Sequence, residues 1–333
     1  MKTMSKLNRA SGALVAGAAI VLLAAGSAGA QARIDGIVGQ TSFNFTAKAG
    51  EVSTPDGGSI HFWGYQDDVG HEGLPLGVLP QYPGPTMIVN QGDAVTISFK
   101  SELPFGQCSS MVFPGQQVTA TGGGAGELTQ ESCNAAQVVT YQFTASEPGT
   151  YTYYSGTDSG LQVEMGLVGA LIVRPSMGEG YAYNSVETAF DHEVLFLLTS
   201  MDPRVHQLAE QNRFAEIDLT ARKAVYWFIN GRAAPDDLAE PFVGWLPHQP
   251  YNCGPRITPE ENILVRIIGG DQDQHPLHLH GNHYNEIARY GRLLKTEGGG
   301  LAPRAKFTTL SVPGQAVDAI FEWTGEGLGW DIY

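Results

Sequence analysis

Basic residues are few in this chain of 333 residues: 19 Lys and Arg stand against 34 Asp and Glu, a formal charge of −15. A chain so acidic lacks the positive field that gathers phosphate backbones or anionic lipid, which excludes nucleic acid and anionic membrane surfaces as partners. Long apolar runs are missing beyond the first thirty residues, so no later segment is expected to span a bilayer. Cysteine is limited to three residues, too few for a disulfide-dense scaffold. Apolar residues at helical spacing are scarce, which argues against a helical bundle. Histidine numbers nine in all. Yet His275, His278, His280 and His283 fall together in "QHPLHLHGNHY", residues 274 to 284.

The opening "MKTMSKLNRASGALVAGAAIVLLAAGSAGAQA" has Lys2, Lys6 and Arg9, then an apolar run from about Ala13 to Ala25, then small residues up to Ala30. This order is that of a secretory signal peptide over residues 1–30, with cleavage before Gln31. The mature protein is therefore expected to be periplasmic or secreted. Its removal takes away three basic groups and no acidic one, moving the formal charge from −15 to −18.

What is abundant is turn chemistry, with 42 Gly and 19 Pro. Between the turns lie short alternating runs such as "TMIVNQGDAVTISFKSEL", "AQVVTYQFTA", "GALIVRP", "EVLFLLTS", "ENILVRIIGG" and "AVDAIFEWTG". Such runs predict an all-β fold. One helix is expected in "PRVHQLAEQNRFAE", residues 203 to 216. Turn-rich sequence near residues 172–185 separates two halves of similar pattern, which predicts two β-sandwich domains in series, residues 31–178 and 179–333. Cys108 and Cys133 flank the glycine-rich "TATGGGAGELTQ" and are the expected disulfide. Cys253 is left over and reads as a buried or unpaired thiol.

In an extended strand His278 and His280 share a face, with Cα atoms roughly 6.6 Å apart. Pro276 limits His275 to extended or turn geometry, so His275 is expected to point elsewhere. Neutral imidazole suits Cu, Zn, Fe and Ni, and the absence of intervening carboxylates argues against calcium or magnesium. A metal site is the sharper reading of this string, and a histidine-rich solvated loop the plainer one.

The string and its surroundings resemble the multicopper oxidase family, built from cupredoxin-like Greek-key β-sandwiches. "PGPTMIVNQGDAVTISFKSELP" and "GLVGALIVRP" resemble the family's first-domain strands, and "FINGRAAPDD", "HPLHLHGNHY" and "LSVPGQAVDAIFEW" follow in the family's order. The resemblance implies copper as cofactor. It makes His275 the type 1 copper candidate and His278 and His280 the candidates for the trinuclear cluster that reduces dioxygen. His283 sits beyond the ligand set.

The chain also departs from the family. Where the first domain of an active member supplies His-Trp-His-Gly, this sequence has Val112, Phe113 and Pro114, and where a second His-x-His pair follows it has Tyr154, Ser155 and Gly156. Val and Pro carry no donor atom. His61, in "HFWG", lies upstream on an expected first strand and reads as structural. The family continues into a His-Cys-His motif past the equivalent of "GLGWDIY", where this sequence reaches Tyr333. The leading expectation is an exported copper-binding protein of periplasmic copper handling or electron transfer with an incomplete cluster. One alternative is an active copper oxidoreductase whose other ligands lie beyond Tyr333. Another is a metal-free scaffold for protein contacts. A small reductant or redox protein as partner, and an oligomer, stay open.

Overall fold

The structure, a computed structural model, describes residues 33–70, 79–255, 259–280 and 282–322. The signal-peptide reading of residues 1–30 and the "GLGWDIY" ending lie outside the described residues. So does Gly281 of the histidine string.

Period-two patterning builds the first pair of sheets. In Ala94–Ser101 (AVTISFKS) Val95, Ile97, Phe99 and Ser101 are buried, while the residues between them face out or lie half-buried. That strand joins a six-stranded sheet with Pro80–Gln81, Ser59–Asp67, Ser42–Ser53, Val139–Thr144 and Thr119–Gly122. Facing it is a four-stranded sheet of Ile37–Val38, Gly84–Asn90, Val168–Arg174 and Gly149–Tyr154. The core between them is aromatic, with Phe43, Phe45, Trp63, Tyr65, Phe99, Tyr141 and Tyr153 all buried.

A larger sheet takes the chain from 192 onward. His192–Met201, Asn262–Gly269, Ala316–Glu322 and Tyr284–Arg289 form its centre, with Tyr226–Ile229 on one edge. A separate two-stranded ribbon, His275–His278 paired with Thr308–Ser311, lies over it. Leu277 and Leu279 pack from the ribbon onto Val265, Ile267, Tyr284 and Val317 of the sheet's core. The architecture is all-β and cupredoxin-like, as the sequence predicts.

The two sets of strands are packed on each other. All seven residues of Val168–Arg174 are buried, because one face fills the first core and Ala170 on the other meets Leu195, Leu197 and Ile268. Val52, Phe62 and Tyr82 likewise meet Met201 and Phe228. At Gly231, with φ of 81°, a Cβ would lie 1.9 Å from the Tyr82 carbonyl oxygen, so only glycine fits there.

Helix is sparse, but its placement corrects the sequence reading. The predicted helix over 203–216 runs only from Pro203 to Glu210, capped by the Asp202 side chain accepting from the Arg204 N–H. Asn212, at φ 59°, turns the chain out of the helix, and Phe214–Glu216 is a separate 3-10 turn. A further helix that the sequence did not suggest, Ser159–Glu164, follows the strand Gly149–Tyr154. Cys108 and Cys133 form the expected disulfide. The segment they flank contains a small hairpin, Gly124–Ala125 with Gln130–Glu131.

Candidate metal centre

Strand parity sorts the histidine string. His275, Leu277 and Leu279 turn inward, His275 fully and the leucines partly buried, while Pro276, His278 and His280 are exposed. The chain passes through Pro276 in one continuous strand, His275–His278. The expected turn at Pro276 is therefore absent, and His275 points away from the other two because its parity is opposite.

A phenol reinforces the backbone pairing of the ribbon. The Tyr284 hydroxyl donates to the Leu277 carbonyl at 2.8 Å and accepts from the Thr309 N–H at 2.7 Å, so one side chain pins both strands. On the outer face the His278 and His280 rings meet edge-on with centroids 5.0 Å apart. His278 Nδ1 is bonded to Thr308 Oγ1 at 2.7 Å, which orients the ring and leaves Nε2 as its other nitrogen. His283 stacks on Phe307 with centroids 3.6 Å apart. Among the described residues, no third His, Cys, Asp or Glu donor completes a cluster with the exposed pair. Two imidazoles at this spacing suit one divalent ion of the copper or zinc type, with solvent filling the other positions.

His275 has a different setting. Its Nε2 bonds Asp271 Oδ1 at 2.8 Å, and its ring meets Trp227 edge-on at 5.5 Å. Asp271 accepts from Ser200 Oγ, which also lies 2.9 Å from Asp273 Oδ2. Arg222 joins the chain through Asp273, at 2.5 Å, and through Glu164 on the helix Ser159–Glu164. Burial works to raise the Asp273 carboxyl, but hydrogen bonds from Arg222 and Ser200 hold it below the usual carboxylate range. A carboxylate that fixes one ring nitrogen and leaves the other free is how metal-ligating imidazoles are commonly oriented. A cavity of about 480 Å³ opens beside it, lined by Trp227, Phe228, Arg232, Asp237 and His275.

The first-domain positions gather as well. Val112 and Tyr154 exchange both backbone bonds, at 2.8 and 3.2 Å, and the Gly156 N–H donates to Ser110 Oγ at 3.1 Å. The fold thus brings together the segments in which the resemblance expects imidazoles, but without their chemistry. Phe113 is buried against Tyr141, Phe143 and Tyr153. A Cβ on Gly156 would lie 2.7 Å from Val112 Cγ1, so the space for a side chain there is already filled. None of Val112, Pro114, Tyr154 and Gly156 carries an imidazole. His278 and His280 are moreover exposed rather than enclosed against these segments.

Two features escaped the sequence reading. Asp271, four residues before His275, gave no signal beyond its spacing. His61, read as structural, gathers with Glu51 and Glu210 into a three-donor cluster.

Comparison with known proteins agrees with the fold. The multicopper oxidase family model matches residues 70–178. An L-ascorbate oxidase of Cucurbita maxima is 29% identical over 218 residues, covering 59% of this chain and 34% of that protein. One from Cucurbita pepo var. melopepo is 29% identical over 133 residues, covering 39% and 22%. The chain thus spans about a third or less of the curated relatives it matches. Among solved structures, the blue copper oxidase of Nitrosomonas europaea superposes with a TM-score of 0.60 at 20% identity, covering 84% of this chain and 74% of that one. At that identity the likeness is one of fold.

Proposed function

We propose, from its similarity in sequence and fold to multicopper oxidases, that this chain is an exported copper-binding member of that family without a complete dioxygen-reducing cluster. The observation that carries this reading is the filled space at Val112 and Gly156, two positions at which the family's cluster ligands would stand. Copper is then held at the exposed pair His278 and His280, oriented through Thr308, with water completing the shell. An open two-imidazole site exchanges its ion readily, which suits copper handling in the periplasm or outside the cell. The domain boundary we propose lies near residue 180, between the strands Val168–Arg174 and His192–Met201.

A second reading rests on His275. The orientation of its ring by Asp271 and the adjoining cavity suit a type 1 copper ligand, and favour a copper oxidoreductase whose remaining ligands lie beyond Tyr333. Bound copper would supply one-electron transfer to or from a small reductant or redox protein. Cu(II) titration of the purified protein separates the two. The first reading expects a weakly coloured signal with imidazole hyperfine structure. An intense blue band, which requires a copper–thiolate bond, would overturn it in favour of the second.

A further inference from the structure

His61 stands near the start of strand Ser59–Asp67, directly opposite Glu51 of the antiparallel strand Ser42–Ser53. Its Nδ1 is 3.1 Å from Glu51 Oε1. The helix Pro203–Glu210 crosses this hairpin, fastened where His206 Nδ1 meets the His61 carbonyl oxygen at 2.6 Å, and brings Glu210 in as its last residue. One donor atom from each of Glu51, His61 and Glu210 lies within 4.8 Å of the other two.

We propose that Glu51, His61 and Glu210 form a second site, distinct from the histidine string, that takes a divalent first-row ion such as Zn(II) and clips the helix end to the hairpin. Donors bound to one such ion at about 2.0–2.2 Å lie at most roughly 4.4 Å apart. The three donors therefore sit near the required spacing before any ion enters. One imidazole with two carboxylates is a borderline-to-hard set that suits Zn(II) better than an all-oxygen site would.

Two further observations ask for a cation here. Glu210 closes its helix, where the macrodipole is negative, and no basic residue stands in the last turn to offset it. Glu51 brings a second carboxylate to the same place. The ring is also under-used, because His61 Nε2 is buried with no hydrogen-bond partner among the described residues. A metal bond at Nε2 would meet that capacity, one at Nδ1 would replace its contact with Glu51, and either would neutralise both carboxylates.

The test uses the full chain carrying His278→Ala and His280→Ala, so that the outer pair contributes nothing. Titrated with zinc chloride in a calorimeter, this protein is expected to bind one equivalent of Zn(II), and its Tm to rise with zinc. Adding Glu210→Gln, an exposed change that preserves shape, should weaken binding by about tenfold or more and remove most of the Tm rise. Adding His61→Ala should do the same. The proposal is overturned if the double-alanine protein takes up no Zn(II), or if neither added substitution alters its affinity. Failure of copper to bind the histidine string would leave this site untouched, so the two readings stand or fall separately.

Discussion

The Arg174 guanidinium donates from Nη1 to Glu193 Oε2 at 2.7 Å, joining the end of strand Val168–Arg174 to the start of His192–Met201. Neither side chain is appreciably exposed. Arg266 adds a second cation, its Nε 3.1 Å from the same Glu193 oxygen, and its Nη1 is 3.5 Å from Asp318. Asp318 in turn accepts from Thr150 and from Tyr183, each at 2.5 Å. Two cations and two carboxylates, supplied by both sets of strands, are thus buried together, with Arg33 near enough to feel the charge of Glu193. A paired, hydrogen-bonded group of this kind is tolerable only while every partner is present.

Removing Glu193 should therefore be far costlier than removing a surface charge. Burial works to raise its carboxyl, but Arg266 and Arg174 hold it below the ordinary glutamate value. A carboxylate with a lowered folded value contributes stability above its unfolded value, about 4.3, and loses it as pH falls through the folded one. Glu193→Gln should lower stability by about 3–5 kcal/mol at neutral pH, because two buried guanidiniums lose their counter-charge. The variant should also show a shallower loss of stability on acidification below about pH 4. Urea melts over that range check both, and an unchanged acid limb would remove Glu193 from the account.

How far these features could be read in the sequence follows from their range. The shared face of His278 and His280 is a two-residue property, and period two supplies it. The same rule governs His275, but Pro276 drew attention to a turn that the strand does not make. The Glu51–His61 pairing lay within reach, since the turn closed by the Gly57 N–H on the Thr54 carbonyl fixes the register of the two strands. Glu210 did not, because nothing local says that a helix about 150 positions further on will cross that hairpin. Asn212 likewise cut the expected helix short through a backbone conformation that its side chain tolerates but does not announce.

The Cys108–Cys133 bridge closes a loop of sequence separation 25 that contains a two-residue-per-strand hairpin and the strand Thr119–Gly122. The same loop is also tied to the six-stranded sheet, where Thr119–Gly122 pairs with residues 139–142, so the bridge adds to an existing tether. Reducing the bridge, or replacing both cysteines with serine, should cost about 2–4 kcal/mol. Chemical denaturation with and without reductant measures this, and equal midpoints would refute it.

Cys253 should behave as an inert thiol. Burial, reinforced by the Asp237 carboxylate to which its Sγ lies 3.6 Å, pushes it up to about 12. The thiolate is the reactive and metal-binding form, so almost none is present at neutral pH. Native protein is expected to resist iodoacetamide, and denatured protein without reductant should take up a single label at Cys253. Rapid labelling of the native fold would show a reactive thiolate and reopen Cys253 as a copper ligand.

The outward pair and the inward histidine should separate under substitution. His278 and His280 are exposed, so replacing both with alanine should change stability by no more than about 0.5 kcal/mol. It should nonetheless lower the Cu(II) stoichiometry by one equivalent and remove the two-imidazole hyperfine pattern. His275 is buried on Asp271. Its replacement with alanine should cost about 1–3 kcal/mol, since it leaves that carboxylate short of a partner and opens space beside Trp227. Cu(II) bound at the outer pair should survive His275→Ala, because the strand places 275 on the opposite face. Calorimetric copper titration and thermal melts on the two variants decide the matter. A His278→Ala, His280→Ala protein that binds copper as its parent does would remove the metal from the ribbon's outer face.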